Sequence, residues 1–256
     1  MKAHMNRLAL ERFAEDEYYK KIKFEDVDIA NLPYLFNDMI SNVLKEINCE
    51  QGVRILDLGA GTGILSVIMA SKGASVIAID ISKTACEIIR SLSIRHKVQN
   101  KIKVINGTLD DCKAMPLFDY IVCLNSLHHM DVSQSVSVIR DLLKEKGKAI
   151  FIEPLMYNPL ALIYRKFFHN EGRTNIESPL RIKDVSNIKK CFSEVKIRGL
   201  YILSSTLLSF ERLFKMDERS KSTYWLFGLL HNIDAFISNI PLLKYLSWKV
   251  MIVASK

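Results

Sequence analysis

Ile55-Leu56-Asp57-Leu58-Gly59-Ala60-Gly61-Thr62-Gly63 is the stretch on which the fold turns. The run 53–58 is short and apolar, as a buried strand is, and residues 64–72 behind it read as a helix. Three glycines between them let the backbone reverse tightly and approach a ligand closely. The helix that follows presents free N–H groups near that ligand.

Outward from this turn the pattern repeats. Strands are expected at 75–79, 101–105, 118–124 and 148–153. Helices are expected at 83–96, with Ser82 as N-cap, and at 131–144, closed near Gly147. Strands alternating with helices of this length indicate a parallel sheet with helices on both faces, a doubly wound α/β fold. Before the turn, residues 8–47 read as helices. Glu11, Phe13, Tyr18 and Tyr19 lie in a polar first helix, and a second is expected over 28–47, with Leu35, Met39, Ile40, Val43, Leu44 and Ile47 at helical spacing. Pro33 sits near its start, where proline is tolerated.

After Glu153 the texture changes. Pro154, Pro159 and Pro179 punctuate a loop-rich segment with a short helix at 160–168, then a helix at 182–191. Strands at 194–203 and 248–254 close the chain, with about forty amphipathic helical residues between them. In that insertion Leu207, Leu208, Phe210, Phe214, Trp225, Leu226, Leu229, Leu230, Ile233, Phe236 and Ile237 are read as one apolar face. It packs on the domain or serves as a lid, a homodimer surface or a membrane contact. The chain is thus read as one domain: a helical cap at 1–50, a ligand-binding core at 51–153, and a substrate side at 154–256.

Composition bounds the function. Nearly half of the 256 residues are apolar and a quarter charged, which excludes a disordered chain. The N-terminal residues carry no apolar signal core, so a cytoplasmic location is expected. The five cysteines are scattered without a Cys-x-x-Cys pair, which favours reduced thiols over disulfides or a metal site. The net charge of +8 is concentrated late: residues 151–256 hold sixteen Lys and Arg against nine Asp and Glu. That suits an anionic substrate, a membrane surface or solubility, and the lack of a dense basic run with aromatics disfavours nucleic acid.

The glycine turn narrows its ligand. A dinucleotide fingerprint would need glycine where Ile64 stands, and a phosphate loop would need Gly-Lys-Ser/Thr. Asp57, two residues before Gly59, disfavours a pyrophosphate and suits a ligand with an ammonium and a sulfonium, as in S-adenosylmethionine. Asp80 ends the second strand about twenty residues on, where an acid accepts ribose hydroxyls. Its alternative role is a helix N-cap.

With the 118–122 strand (Phe-Asp-Tyr-Ile-Val) and Leu143-Lys144-Glu145-Lys146-Gly147-Lys148-Ala149, these residues resemble the class I S-adenosylmethionine-dependent methyltransferase superfamily over about residues 50–153. The resemblance implies a Rossmann-like sheet of seven strands, the last antiparallel. It implies that Gly59, Ala60, Gly61 and Gly63 surround the methionine half and ribose, that Asp80 binds the ribose, and that Ile81 packs on adenine. Members often carry an acid for the adenine amino group where Thr108 stands here, so Thr108, Leu109 and Asp110 are all candidates. S-adenosylhomocysteine would be the product.

The resemblance also sets the fourth strand beside the first, so that Leu124-Asn125-Ser126-Leu127-His128-His129 faces the glycine turn. Asn125 is a candidate contact for the methionine half. His129 is the candidate base, since an imidazole suits proton removal near neutral pH, with a structural histidine as the alternative. Glu-Pro-Leu-x-x-Asn-Pro at 153–159 resembles a bacterial subgroup of these enzymes. Glu153 is expected to bind a polar substrate group or to pair with Arg165 or Arg173. Tyr18 and Tyr19 are expected to close the cleft. The expected activity is methyl transfer to O or N of a small metabolite. A quinone or lipid-like acceptor at a membrane surface, and a non-catalytic scaffold, are the alternatives.

Overall fold

The computed structural model describes residues 2–162, 178–207, 220–238, 240 and 243–256. Its seven strands are β1 (Arg54–Leu58), β2 (Ser75–Asp80), β3 (Ile102–Asn106), β4 (Phe118–Leu124), β5 (Leu143–Pro154), β6 (Glu194–Leu200) and β7 (Lys249–Ser255). They form one sheet in the order β3-β2-β1-β4-β5-β7-β6. β1 to β5 pair parallel, whereas β7 runs antiparallel to both β5 and β6. The chain winds outward one way from β1 to β3 and the other way from β4, so a crevice opens where β1 meets β4.

The helices are α1 (Lys2–Tyr19), α2 (Tyr34–Glu46), α3 (Ile64–Lys72), α4 (Lys83–Arg95), α5 (Val132–Leu142), α6 (Ile182–Cys191) and α7 (Lys221–Ser238). Alternation along the strands builds two core layers, because successive side chains point to opposite faces. Ile55, Val76, Ala78, Val122 and Ile150 share one with Val43 of α2, Val67 of α3 and Leu92 of α4. Leu56, Leu58, Ile77, Ile121 and Phe151 share the other with Ile139 of α5 and Ile188 of α6.

Several boundaries move from their expected places, each for a local reason. α2 begins at Tyr34, six residues late. The Asp28 carboxylate accepts from the Ala30 amide at 2.9 Å, a turn that competes with helix, and Pro33 is extended at ψ 141°. β5 begins at Leu143 and absorbs the expected end of α5, because Leu143 pairs with Phe118 and is fully buried. β6 stops at Leu200, because Tyr201 turns to φ 62°.

α7 does not present the one apolar face expected. Phe227 packs inward against Tyr34 and Tyr201, and Leu226 and Leu230 pack against the core. Trp225, Leu229, Ile233 and Phe236 lie outward, with Trp225 71% and Phe236 76% exposed. Apolar residues lie on both sides of the helix, so the spacing alone did not tell those sides apart. Leu208, Phe210, Phe214 and most of the helix expected at 160–168 lie outside the described residues. All five cysteines are free thiols.

Candidate active site

The glycine turn is built from three left-handed residues: Gly59 at φ 73°, Gly61 at 57° and Gly63 at 78°. A side chain fits at none of them. A Cβ on Gly59 would lie 2.3 Å from Ser126 Cβ, and one on Gly63 2.7 Å from Ile89 Cγ1. The amides of Gly59 and Ala60 donate to the Ile79 carbonyl at 2.9 and 3.1 Å, which ties the turn to the end of β2.

Two carboxylates sit under this turn. Asp57 is buried and accepts from the Ser66 hydroxyl of α3 at 2.6 Å. Burial pushes its carboxyl up to about 6. It lies behind the turn and holds α3. Asp80 is also buried. Its Oδ2 accepts from the Gly61 amide and its Oδ1 from the Ser82 amide, both at 2.9 Å. Burial raises its carboxyl above the ordinary value too. Each oxygen has a second lone pair, so Asp80 can hold the turn and still accept from a ligand diol. Ser82 itself caps α4, taking the Ala85 amide at 3.0 Å.

Beside Asp80, Asn106 donates to the carbonyls of Asp80 and Ile81 at 3.1 and 2.8 Å, and Ile81 is half-buried. Thr108 is taken up locally: its amide donates to Asp111 at 2.7 Å. Leu109 is buried and Asp110 is exposed, paired with Lys113 at 2.6 Å.

α1 crosses the mouth of the crevice. Asp16 accepts from the Ser82 hydroxyl at 2.5 Å and the Thr84 amide at 3.1 Å. A Cβ on Gly61 would lie 2.8 Å from the Tyr19 hydroxyl, so Tyr19 stands over the turn. Tyr18 packs edge-on against Tyr19 but is 59% exposed. At the other end Arg7 donates to the His129 carbonyl at 3.2 Å.

The loop after β4 faces the turn across the crevice. Asn125 adopts φ 59°, its amide donates to the Ile152 carbonyl at 2.9 Å, and its side-chain oxygen accepts from buried Lys249. Its carbonyl and side-chain nitrogen have no partner among the described residues and are open to a ligand. The Ser126 hydroxyl donates to the Leu58 carbonyl at 2.5 Å, which locks this loop to the turn.

Glu153 departs from expectation. It is fully buried, and its described partners all come from the β4 loop. Oε1 accepts from the amides of Ser126 at 3.0 Å and Leu127 at 2.8 Å, and Oε2 meets Nδ1 of His128 at 2.7 Å. No surface is left for a substrate group. Arg165 and Arg173 lie outside the described residues. The cause is strand register: Leu124 pairs with Ile152, which brings Glu153 level with the loop it holds. His129 stacks on His128 with ring centroids 4.2 Å apart. Burial, then the neighbouring His128, lowers its imidazole to about 4, so it is neutral near pH 7 and a weak proton acceptor. His128, Ser126, Asp16 and Lys249 were not expected as site residues. The adjacent histidines were the signal available in the sequence, whereas the register of β4 on β5 was not.

Residues 55–147 match a sequence profile described as a methyltransferase domain. The mitochondrial ubiquinone biosynthesis O-methyltransferase of Schizosaccharomyces pombe is 37% identical over 95 residues. That similarity takes in 37% of this chain and 35% of the relative, about a third of the relative's length. Among solved structures, the Haemonchus contortus phosphoethanolamine N-methyltransferase 2 bound to S-adenosylhomocysteine superposes with TM-score 0.60 at 17% identity, covering 85% of this chain and 52% of that one. The [4+2]-cyclase SpnF superposes with TM-score 0.54 at 16% identity, covering 87% and 80%. Residues 55–147, just over a third of the chain, thus resemble a methyltransferase domain, and the seven-stranded sheet that holds them has the fold of these solved structures.

Proposed function

We propose that the chain transfers a methyl group from S-adenosylmethionine to a hydroxyl oxygen of a small, phenolic or quinone-type acceptor. The observation that carries this reading is the turn of three left-handed glycines held by Asp80, with Asp57 buried behind it, at the reversal of strand order. The relative named an O-methyltransferase favours oxygen over nitrogen.

When bound, the cofactor supplies an activated methyl on a sulfonium. The chain's own residues do the rest. The free lone pairs of Asp80 receive the ribose hydroxyls, and Ile81 packs on the adenine. Thr108, Leu109 and Asp110 border the base. The backbone of Gly59, Ala60, Gly61 and Gly63 and the remaining donor of Asn125 line the methionine end. Tyr19 excludes water from above, with Tyr18 at the rim. Alignment of donor and acceptor supplies up to roughly 7–11 kcal/mol in favourable cases, so a rigid loop facing the turn is the main catalytic device. Arg165 and Arg173 are proposed to contact the acceptor, in a protein read as cytoplasmic.

The test is incubation with methyl-tritiated S-adenosylmethionine and a panel of phenols, catechols and aliphatic alcohols. Label transferred to a phenolic hydroxyl supports the reading. Tight binding of S-adenosylhomocysteine with no transfer to any acceptor would favour the scaffold reading. The exposed apolar stripe of Trp225, Leu229, Ile233 and Phe236 supports a variant in which the acceptor is met at a membrane surface. Among the described residues no helix is long and apolar enough to cross a membrane. Salt-sensitive sedimentation with anionic vesicles, lost in Trp225→Ala/Phe236→Ala, is expected from the membrane variant. A dimer in solution that buries the same stripe would replace it.

A further inference from the structure

The geometry points to His128, oriented by Glu153, as the group that takes the acceptor's proton. This rests on the methyl-transfer reading above and moves the role away from His129.

The Glu153 carboxylate is fully buried and fixed at three points. Its Oε1 is held by two backbone amides, so Oε2 is left with a single described partner, Nδ1 of His128 at 2.7 Å. A carboxylate accepts and does not donate, so Nδ1 must carry the hydrogen. The Nε2 lone pair is then the basic site, and Nε2 has no hydrogen-bond partner among the described residues. A buried acid that fixes the tautomer and orientation of an imidazole and stabilises its cation is a general arrangement for a base. The charged or titratable groups near this pair include His129 on the same loop, Cys123 of β4 beside Glu153, and Arg7 from α1, itself paired with Glu11. Arg7 engages the His129 carbonyl, and Glu153 is the carboxylate bonded to the His128 ring.

The anchoring also places the ring. Ser126, two residues before His128, is bonded to Leu58 at the end of β1 and packs where a Gly59 side chain would stand. The imidazole therefore belongs to a loop fastened to the glycine turn. In the transfer step the acceptor hydroxyl gives its proton to Nε2, and its oxygen lone pair forms the new O–C bond. The C–S bond breaks with its electron pair on sulfur. The imidazolium, paired with Glu153, then returns its proton to solvent. Glu153 touches none of the reacting atoms and is a positioning residue.

Glu153→Gln keeps the loop anchored while reversing the imidazole tautomer, and loss of transfer with cofactor affinity retained is what a merely structural role would not give. The two loop amides need an acceptor, so the new amide oxygen turns to them and its NH2 turns to His128. Nδ1 then becomes the acceptor and Nε2 carries the hydrogen. NMR of isotope-labelled imidazole nitrogens, on the whole chain with S-adenosylhomocysteine bound, should show Nδ1–H in the native protein and Nε2–H in Glu153→Gln. With catechol as the probe acceptor, transfer should fall by roughly 10³-fold or more in Glu153→Gln and His128→Gln, while S-adenosylhomocysteine affinity stays within a few-fold. Should Glu153→Gln not fold, His128→Gln carries the kinetic arm and the native tautomer the spectroscopic one. An Nε2–H tautomer in the native chain, or full catechol turnover by His128→Gln, would overturn the proposal. The tautomer is read without an acceptor, so an Nε2–H form overturns the proposal even if catechol is not a substrate. A folded chain that binds no S-adenosylhomocysteine defeats the functional reading instead.

Discussion

Asp80 is the residue on which ligand affinity should depend most directly. It is buried, its carboxyl is raised by that burial, and each oxygen already serves one amide. Asp80→Ala removes a charged acceptor for two hydroxyls and should weaken S-adenosylhomocysteine binding by roughly tenfold or more in calorimetry. Unchanged affinity would reject its role. Asp57 makes a different prediction. Its carboxyl sits at about 6, against an ordinary 3.8. Between those values the folded chain holds a proton that the unfolded chain has lost. Its contribution to stability is therefore full below pH 3.8 and is lost as pH rises through about 6. A cation docked at the turn favours the ionised form, so S-adenosylmethionine binding near that pH should release a proton and tighten toward pH 7. Calorimetry in two buffers of different ionisation enthalpy should give different heats; equal heats would contradict the linkage. Both aspartates were legible in the sequence, because strand ends and the glycine spacing fix where they fall. The partners of Glu153 were not, because they depend on how β4 registers against β5.

Buried polar residues decide how the elements lock together, and sequence periodicity is blind to them. Asp234 on α7 is one such residue. It is 3% exposed and accepts from the amides of Ile202, Leu203 and Ser204 at 3.0, 2.6 and 3.0 Å, and from the Ser204 hydroxyl at 2.5 Å. It thereby fastens the helical insertion to the chain leaving β6. Asp234→Ala strands those donors and should cost about 3 kcal/mol, lowering the melting temperature by roughly 6–12 °C in a chain of this size. A shift under about 2 °C would show that the insertion is held some other way. In the sequence Asp234 only interrupts an apolar run. The ends of α6 were legible, since Ile182–Cys191 has a clear helical period between a loop and a strand. The start of α2 was not, because the Asp28 turn overrides an apolar pattern that begins later in any case.

At the scale of the whole molecule, the order β3-β2-β1-β4-β5-β7-β6 brings the glycine turn and the β4 loop to one crevice. α1 spans that crevice from Ser82 to His129. The core was legible because each βα unit carries its own period, and the two-sided burial of the strands follows from it. The outer face of α7 was not legible, since inward and outward apolar residues look alike in sequence. In the proposed function this crevice binds an adenosyl sulfonium and its demethylated product. Isothermal titration of the folded chain with S-adenosylhomocysteine tests it most directly. One molecule bound per chain, with a dissociation constant in the micromolar range or tighter (about −8 kcal/mol or beyond), is the predicted result. A cooperatively folded protein that gives no binding heat and no thermal stabilisation with either ligand would contradict it.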